Sequence, residues 1–127
     1  MKKIIVKPAG GAAAIGPYSH AVRAGDFLFC AGQIPVVPDS GQIVGSDPRA
    51  QTERVLENIK IILRDQNLDF SHVVKTTVFL TDLADFAAMN EVYARYFTAD
   101  FPARSTVQVA ALPRGAKVEI EVVAHYG

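Results

Sequence analysis

An arginine and two glutamates near the carboxyl end of the sequence have the side chains to handle a small carboxylic acid. Arg104 begins one strand-like segment, residues 104–109, and Glu119 and Glu121 lie in another, residues 117–122. A guanidinium is a planar fork that binds a carboxylate at two points. A glutamate nearby can hold or move a proton. The two segments therefore predict a site that binds a small carboxylic acid and acts on it by acid–base chemistry.

Both segments alternate polar and apolar residues, as strands with one buried face do. Their polar positions are Arg104, Thr106, Gln108, Lys117, Glu119 and Glu121. With turn residues at 112–115, the two strands are predicted to pair as a hairpin, and aligning their apolar faces makes the polar faces coincide. The alternative interpretation is a solvated sheet face with ordinary ion pairs, because charged sheet faces are common.

The composition is that of one folded domain spanning residues 1–127. Half of the residues are hydrophobic, so a packed core is expected. The 13 basic residues balance 13 acidic ones, which argues against nucleic acid or an anionic membrane as a partner. The apolar run at residues 4–6 is too short for a signal peptide, and no run reaches membrane-spanning length. A soluble, cytoplasmic protein is expected.

Neither thiol nor metal chemistry is predicted. Cys30 is the only cysteine and lies in an apolar run, where a buried small side chain is the expected role. His20, His72 and His125 lack metal-ligand spacing to carboxylates or to the cysteine, so no metal site is expected. Residues 9–12 lack the lysine and the helix of a phosphate-binding loop.

Strands and helices are predicted in the order β-β-β-α-β-α-β-β. Four strands are predicted ahead of the two segments above, at residues 3–6, 18–23, 27–33 and 73–81. The first helix is predicted to begin with Asp47 as N-cap and Pro48 in its first turn, and to end near Asn67. The second is predicted to begin after Asp82 and to carry an apolar stripe through Phe97.

One sheet with both helices on one face is the simplest packing of these elements, and it predicts an α+β fold. The other sheet face must then be solvated or covered by another chain. We expect that face or its rim to carry the polar residues of the last two strands, Arg104, Thr106, Gln108, Glu119 and Glu121. The site is therefore expected near a subunit interface.

Asn90 interrupts the apolar stripe of the second helix, between Leu83 and Phe97. A buried amide needs hydrogen-bond partners. We favour a hydrogen bond from Asn90 to a neighbouring strand or loop, and the alternative is that Asn90 fixes a ligand-facing loop.

Five segments resemble, in order and spacing, the Rid/YjgF family of small imine deaminases, and the resemblance covers nearly the whole chain. They are IGPYS at residues 15–19, AGQIPV at 31–36, VKTTVFL at 74–80 followed by Asp82 and Leu83, FPARS at 101–105, and VEIE at 118–121. The resemblance implies a chorismate-mutase-like α+β fold assembled as a homotrimer, with sites between subunits. It also implies hydrolysis of 2-imino acids such as 2-iminopropanoate and 2-iminobutanoate to 2-oxo acids and ammonia, without cofactor or metal.

The resemblance assigns two catalytic residues. Arg104 would grip the substrate carboxylate, and Glu119 would lie near the catalytic water. Spacing alone does not choose between Glu119 and Glu121, which share a strand face. The substrate-binding set is completed by Tyr18, Ala31, Gly32, Asn90 and Thr106. For Tyr18, a packed aromatic with a backbone-capped hydroxyl is an equal alternative.

The sequence departs from the common family pattern at three positions. Ala31 stands where serine is frequent, and the missing hydroxyl bears on substrate preference. Thr106 stands where cysteine is frequent, which argues against thiol chemistry there. His20 stands where glutamine is common.

Two other functions remain as alternatives. One is a non-catalytic or chaperone-like family member that holds a small carboxylate in the same cleft without turnover. The other is a ribonuclease or translation inhibitor. The zero net charge and the lack of a basic stripe interleaved with aromatic residues argue against the second.

Overall fold

A computed structural model describes residues 2–127 as one six-stranded sheet packed against two helices. The strands are β1 (Lys3–Val6), β2 (Ala21–Ala24), β3 (Phe27–Gln33), β4 (Val73–Leu80), β5 (Ala103–Gln108) and β6 (Val118–His125). The helices are α1 (Pro48–Asp65) and α2 (Phe86–Tyr96), and short 3-10 turns occupy Phe70–His72, Leu83–Asp85 and Pro113–Gly115. The predicted order of elements and the chorismate-mutase-like α+β fold are confirmed.

The predicted hairpin between the last two strands is wrong, because β4 lies between them. The sheet order is β1-β2-β3-β6-β4-β5, with β4 parallel to β5 and antiparallel to β6. Alternation along a strand tells which face is apolar but does not tell which strand is its neighbour. In the sheet the more apolar β4 takes the interior position, and the more polar β5 becomes the edge.

The two polar faces consequently do not coincide. Arg104 aligns with Thr76 of β4, which aligns in turn with Val122, whereas Glu119 aligns with Phe79. Since Thr76 and Phe79 are three residues apart, their side chains point to opposite faces. The polar face of β5 lies on the helix side of the sheet, so of the expected residues only Glu119 and Glu121 lie on the uncovered face.

Helix α1 begins as predicted. The Asp47 carboxylate accepts a hydrogen bond from the Arg49 backbone N–H (3.0 Å), and Pro48 occupies the first turn. The face against the sheet is fully buried at Val55, Leu56, Ile59 and Leu63. Burying one such side chain contributes about 1.5–3 kcal/mol.

Helix α2 begins later than predicted. Asp82 accepts from the Ala84 backbone N–H (2.9 Å) and caps the 3-10 turn Leu83–Asp85, and α2 follows at Phe86. The first part of the predicted apolar stripe is exposed, since Leu83 is 48% and Phe86 37% exposed. The buried face begins at Met89, and Asn90 is half-buried.

Strand β2 is shorter than predicted and begins at Ala21, so His20 lies just before it. The turn to β3 uses Gly25 with φ 60, a left-handed conformation that glycine adopts without strain. Cys30 points into the core, and burial raises the pKa of its thiol to about 12. The prediction of a buried cysteine is confirmed.

The face of the sheet away from the helices is partly apolar. A row of apolar side chains runs across four adjacent strands on this face, at Ile5, Val22, Phe29 and Val123. Phe29 is 48% exposed and Ile5 43%. We call this row the open-face apolar row.

No helix within residues 2–127 is long and apolar enough to cross a membrane.

Candidate functional site

Four of the predicted site residues line one cavity. They are Tyr18, Ala31, Gly32 and Glu119. The cavity has a volume of about 880 Å³ and extends from the sheet, where Glu119 lies, to the loop between β3 and α1. It has the size and the largely apolar lining of a small-molecule site.

Gly32 lies directly against the Glu119 carboxyl group. A Cβ atom on residue 32 would lie 2.7 Å from Cδ and 2.9 Å from Cγ of Glu119, closer than real contacts allow. The register of β3 against β6 shifts between Cys30 and Gln33, and this irregularity carries Gly32. With Glu119 in this position only glycine leaves room at residue 32, and a larger residue there would push the carboxyl group aside.

The surroundings of Glu119 favour its protonated form. Partial burial, and next the negative charge of Glu121, raise the pKa of the Glu119 carboxyl. None of the ion pairs in the described part of the chain includes Glu119. A carboxyl whose pKa is shifted toward neutrality is suited to proton transfer near physiological pH. Glu121 is exposed and does not line the cavity.

Tyr18 and His20 form one wall. The two rings meet edge to face with centroids 5.8 Å apart, and Tyr18 is 50% exposed. A half-exposed ring on a cavity wall fits a ligand contact better than the alternative of a packed aromatic.

His20 is a cavity residue that the sequence reasoning did not include in the site. The Gln33 side-chain N–H2 lies 3.1 Å from His20 Nδ1 and 3.2 Å from the Ala31 carbonyl oxygen. Because the Gln33 amide nitrogen can only donate, His20 Nδ1 accepts this hydrogen bond. His20 Nε2 is buried and has no partner within residues 2–127. The one sequence signal was the unusual histidine after Gly-Pro-Tyr-Ser.

Arg104 belongs to a second group of residues, on the helix side of the sheet. Its Nη1 donates a hydrogen bond to Asn90 Oδ1 at 2.7 Å. The guanidinium carbon lies 4.7 Å from the centre of the Tyr93 ring and 5.4 Å from that of Phe86. Thr106 shares this face and is half-buried. The favoured interpretation of Asn90, a hydrogen bond to a neighbouring strand, is confirmed.

Tyr93 is anchored beneath the guanidinium. Its hydroxyl lies 2.9 Å from Oγ1 of Thr76, which is fully buried. Burial raises the pKa of Tyr93, while Thr76 and the charge of Arg104 oppose the shift. Sequence reasoning placed Tyr93 and Phe86 in an apolar stripe and missed this role. The spacing of residues 86, 90 and 93 on one helix face was the available signal.

The structure therefore separates the predicted site into two groups within one chain. Arg104, Asn90 and Thr106 form the arginine group, and they do not line the cavity. Glu119, Tyr18, Ala31 and Gly32 form the cavity group. No set of three or more His, Cys, Asp or Glu side chains in residues 2–127 is grouped to hold a metal ion.

The described chain is an α+β fold of two helices on a six-stranded mixed sheet, with a glutamate in an apolar cavity and an arginine held on the other face. A sequence profile described as Endoribonuclease L-PSP matches residues 10–126. The chain belongs to this family, which is the Rid/YjgF family.

Named relatives span most of the chain. Protein DfrA of Myxococcus xanthus is 60% identical over 113 residues, which is 87% of this chain and 86% of that protein. The 2-iminobutanoate/2-iminopropanoate deaminase of Homo sapiens is 45% identical, covering 97% of this chain and 90% of that one. The crystal structure of the Rid-family protein YyfA from Yersinia pestis superposes with a TM-score of 0.95 at 44% identity, covering 98% and 99% of the two chains.

Proposed function

We propose that this protein hydrolyses reactive 2-imino acids, such as 2-iminopropanoate and 2-iminobutanoate, to 2-oxo acids and ammonia. The observation that carries the proposal is the Glu119 carboxyl group, unpaired in the described chain, set against Gly32 in an apolar cavity, with a raised pKa. The human relative's name, a 2-iminobutanoate/2-iminopropanoate deaminase, supports the same chemistry.

In the proposed site, Arg104 comes from a second copy of the chain. Within one chain Arg104 and Glu119 project from opposite sheet faces, so one small substrate does not reach both. The arginine group of one copy would face the cavity group of the next. Such a head-to-tail contact closes into a ring when repeated, and we propose a ring of three. The open-face apolar row supports the proposal, because it offers surface for a neighbouring copy.

The proposed mechanism needs only positioning and proton transfer. Arg104 binds the substrate carboxylate at two points and orients the imine carbon. The substrate reacts as its iminium form, C=NH2+. Glu119 takes a proton from water as the water oxygen bonds to that carbon, and the C=N π electrons move to nitrogen, which gives a neutral carbinolamine. Glu119 returns that proton to the amino nitrogen, then takes the hydroxyl proton as the C=O bond forms and the C–N bond breaks, and ammonia, the 2-oxo acid and one proton are released.

A mixing experiment tests the shared site. Glu119→Gln and Arg104→Lys are each purified, then denatured and refolded together, and imine hydrolysis is compared with each variant refolded alone. A site with Arg104 from one chain and Glu119 from the next is intact in roughly a quarter of the interfaces of a random ring. We expect about that fraction of wild-type activity to return. If the mixture is no more active than the separate variants, then either both residues of a site come from one chain or one of the two residues has no role in the reaction.

The non-catalytic alternative predicts a different result in a simpler assay. A pyridoxal-phosphate dehydratase supplies the imine, and release of the 2-oxo acid is followed with and without this protein. Acceleration that is lost in Glu119→Gln supports the deaminase. Unchanged release, together with saturable binding of a small carboxylate, would support a ligand-binding protein.

A further inference from the structure

The cavity beside Glu119 is much larger than the smallest substrates of the proposed reaction need. Its volume of about 880 Å³ is near the upper end of the roughly 300–1,000 Å³ typical of pockets that enclose drug-sized ligands. The copy that supplies Arg104 would take up part of this volume, so the size of the cavity in one chain does not by itself define the substrate. The remaining space has walls of its own, and their chemistry indicates what it accommodates.

The walls away from Glu119 are apolar. These walls include Ala13, Ile15, Ile34, Val36, Pro38 and Pro113. Ile15 is 80% exposed, so its side chain is accessible to an apolar group in the cavity. Next to Glu119, Ala31 and Gly32 have no hydroxyl group to offer a substrate side chain.

The polar amides on the walls are already engaged. Asn58 donates from Nδ2 to the carbonyl oxygens of Ile34 (3.2 Å) and Val36 (2.9 Å). Its Oδ1 accepts from Arg54 Nε at 3.1 Å. The Gln33 amide nitrogen is likewise occupied by His20 and the Ala31 carbonyl. A polar substrate side chain would therefore lose hydration without recovering hydrogen bonds from these amides.

Besides Tyr18, three titratable side chains line the cavity, Glu119, His20 and Arg114. Glu119 is committed to the proposed chemistry and repels a second carboxylate. Arg114 is exposed on the turn Pro113–Gly115, where its charge stays in water. The Nε2 atom of His20 is buried, and the His20 ring packs edge to face against Tyr18 in the cavity wall. An acidic side chain gains little from this arrangement.

We propose that this protein prefers 2-imino acids with large apolar side chains, branched aliphatic, thioether or aromatic, over 2-iminopropanoate. The inference rests on the proposed deaminase function. The carboxylate and imine carbon of the substrate lie at the Glu119 end, where the second copy brings Arg104. The side chain extends toward the apolar walls and displaces water from them, and one methylene in such a pocket changes kcat/KM by roughly tenfold or more.

The test compares imines that differ only in side chain. An amino-acid oxidase generates them in place from alanine, 2-aminobutyrate, leucine, methionine, phenylalanine and glutamate at equal flux. Release of each 2-oxo acid is measured with wild type, and the rate with Glu119→Gln is subtracted. We expect kcat/KM for the leucine and phenylalanine imines to exceed that for the alanine imine at least tenfold. The glutamate imine should be among the poorest.

A variant tests whether the apolar wall produces the preference. Ala13→Asp places a hydrated carboxylate on that wall and should lower the leucine-to-alanine ratio of kcat/KM at least fivefold, because the carboxylate would have to lose water when an apolar side chain packs against it. Asn67→Asp is the charge-matched control, since residue 67 follows α1, is exposed and does not line the cavity. The control should keep the wild-type ratio.

The outcomes separate this inference from the proposed function. Hydrolysis of none of the imines would overturn the deaminase proposal and this inference with it. Hydrolysis in which the alanine or glutamate imine is as good as the leucine imine would overturn the side-chain preference alone. An unchanged ratio in Ala13→Asp would overturn the assignment of the preference to this wall.

Discussion

At Glu119, burial and a neighbouring like charge act in the same direction. Both raise the pKa of the carboxyl in the folded protein above its value in the unfolded chain. The folded state then binds a proton more tightly than the unfolded state does. The free energy of unfolding therefore falls as pH rises through the interval between the two pKa values, and the cost is fully present above the folded-state pKa. The ionised Glu119 carboxylate therefore slightly destabilises the folded protein at neutral pH.

Glu119→Gln should consequently separate activity from stability. Glutamine keeps the shape of the side chain but accepts no proton, so we expect kcat/KM to fall by about 10²–10⁴. The melting temperature at neutral pH should equal or exceed that of wild type, and the difference should shrink as pH falls toward about 4. Thermal melts across pH and imine hydrolysis measure both quantities. Glu121→Gln is the control and should stay active; equal loss there would reassign the base.

The planar guanidinium of Arg104 is held by a hydrogen bond to Asn90 and by the Tyr93 ring, and a lysine ammonium has no such planar group. Arg104→Lys loses the two-point fork and the stacking on Tyr93, and we expect kcat/KM to fall at least about tenfold, or 1.4 kcal/mol. The melting temperature should shift by only a few degrees, since about 1 kcal/mol corresponds to roughly 4 °C in a chain of this length. Arg95→Lys, in an exposed pair with Glu91, is the control. Near-wild-type turnover in Arg104→Lys would remove the anchoring role.

Helix α2 acts as a platform for the edge strand β5. It supplies the hydrogen-bond acceptor of Asn90 and the ring of Tyr93 to the Arg104 guanidinium. Helix α2 is itself fixed to the sheet, because the Tyr93 hydroxyl is hydrogen-bonded to the Thr76 hydroxyl on β4. The position of the arginine therefore depends on how α2 packs on the sheet.

Two variants of α2 should fail in different ways. Tyr93→Phe keeps the ring beneath Arg104 but leaves the buried Thr76 hydroxyl without its partner, a cost of about 1–3 kcal/mol in stability. It should melt several degrees lower and keep kcat/KM within a few fold. Asn90→Ala releases the guanidinium and should mainly raise KM and lower kcat/KM, with a smaller change in melting. Thermal melting and steady-state kinetics on both variants test these expectations. If Asn90→Ala mainly lowers the melting temperature and Tyr93→Phe mainly lowers kcat/KM, then Asn90 is the structural residue and Tyr93 positions the guanidinium.

At the scale of the whole molecule, the sheet face opposite the helices carries the open-face apolar row with no covering element in residues 2–127. Apolar surface of this kind on a small domain favours association. The charges of the chain balance, so repulsion between copies does not oppose it. The same balance offers little attraction for RNA, and steep salt dependence of RNA binding would be needed to favour the ribonuclease named in the family description.

Light scattering should give three times the 13.7 kDa chain mass at micromolar concentration. Phe29→Glu places a charge in the middle of the open-face apolar row and should dissociate the assembly and abolish imine hydrolysis together. Ile4→Glu is the control, because Ile4 is 57% exposed but points to the other face of the sheet. A wild-type monomer that hydrolyses imines would contradict the shared site.

The sequence by itself determined the order of the elements and much of their local geometry. The Asp47 cap followed by Pro48 and the apolar stripe of α1 depend on side chains near one another in the chain, and they appear as predicted. The family was likewise evident from short motifs in order.

Only the tertiary structure decided which strands are neighbours and hence what surrounds each functional side chain. The alternation of residues around Arg104 and Glu119 was evident, but placing β4 between their strands put them on opposite faces. The raised pKa of Glu119, the contact with Gly32 and the stacking of Arg104 on Tyr93 join residues distant in sequence. Side-chain alternation records only the polarity of each face, whereas strand pairing depends on the burial of the whole sheet against its helices.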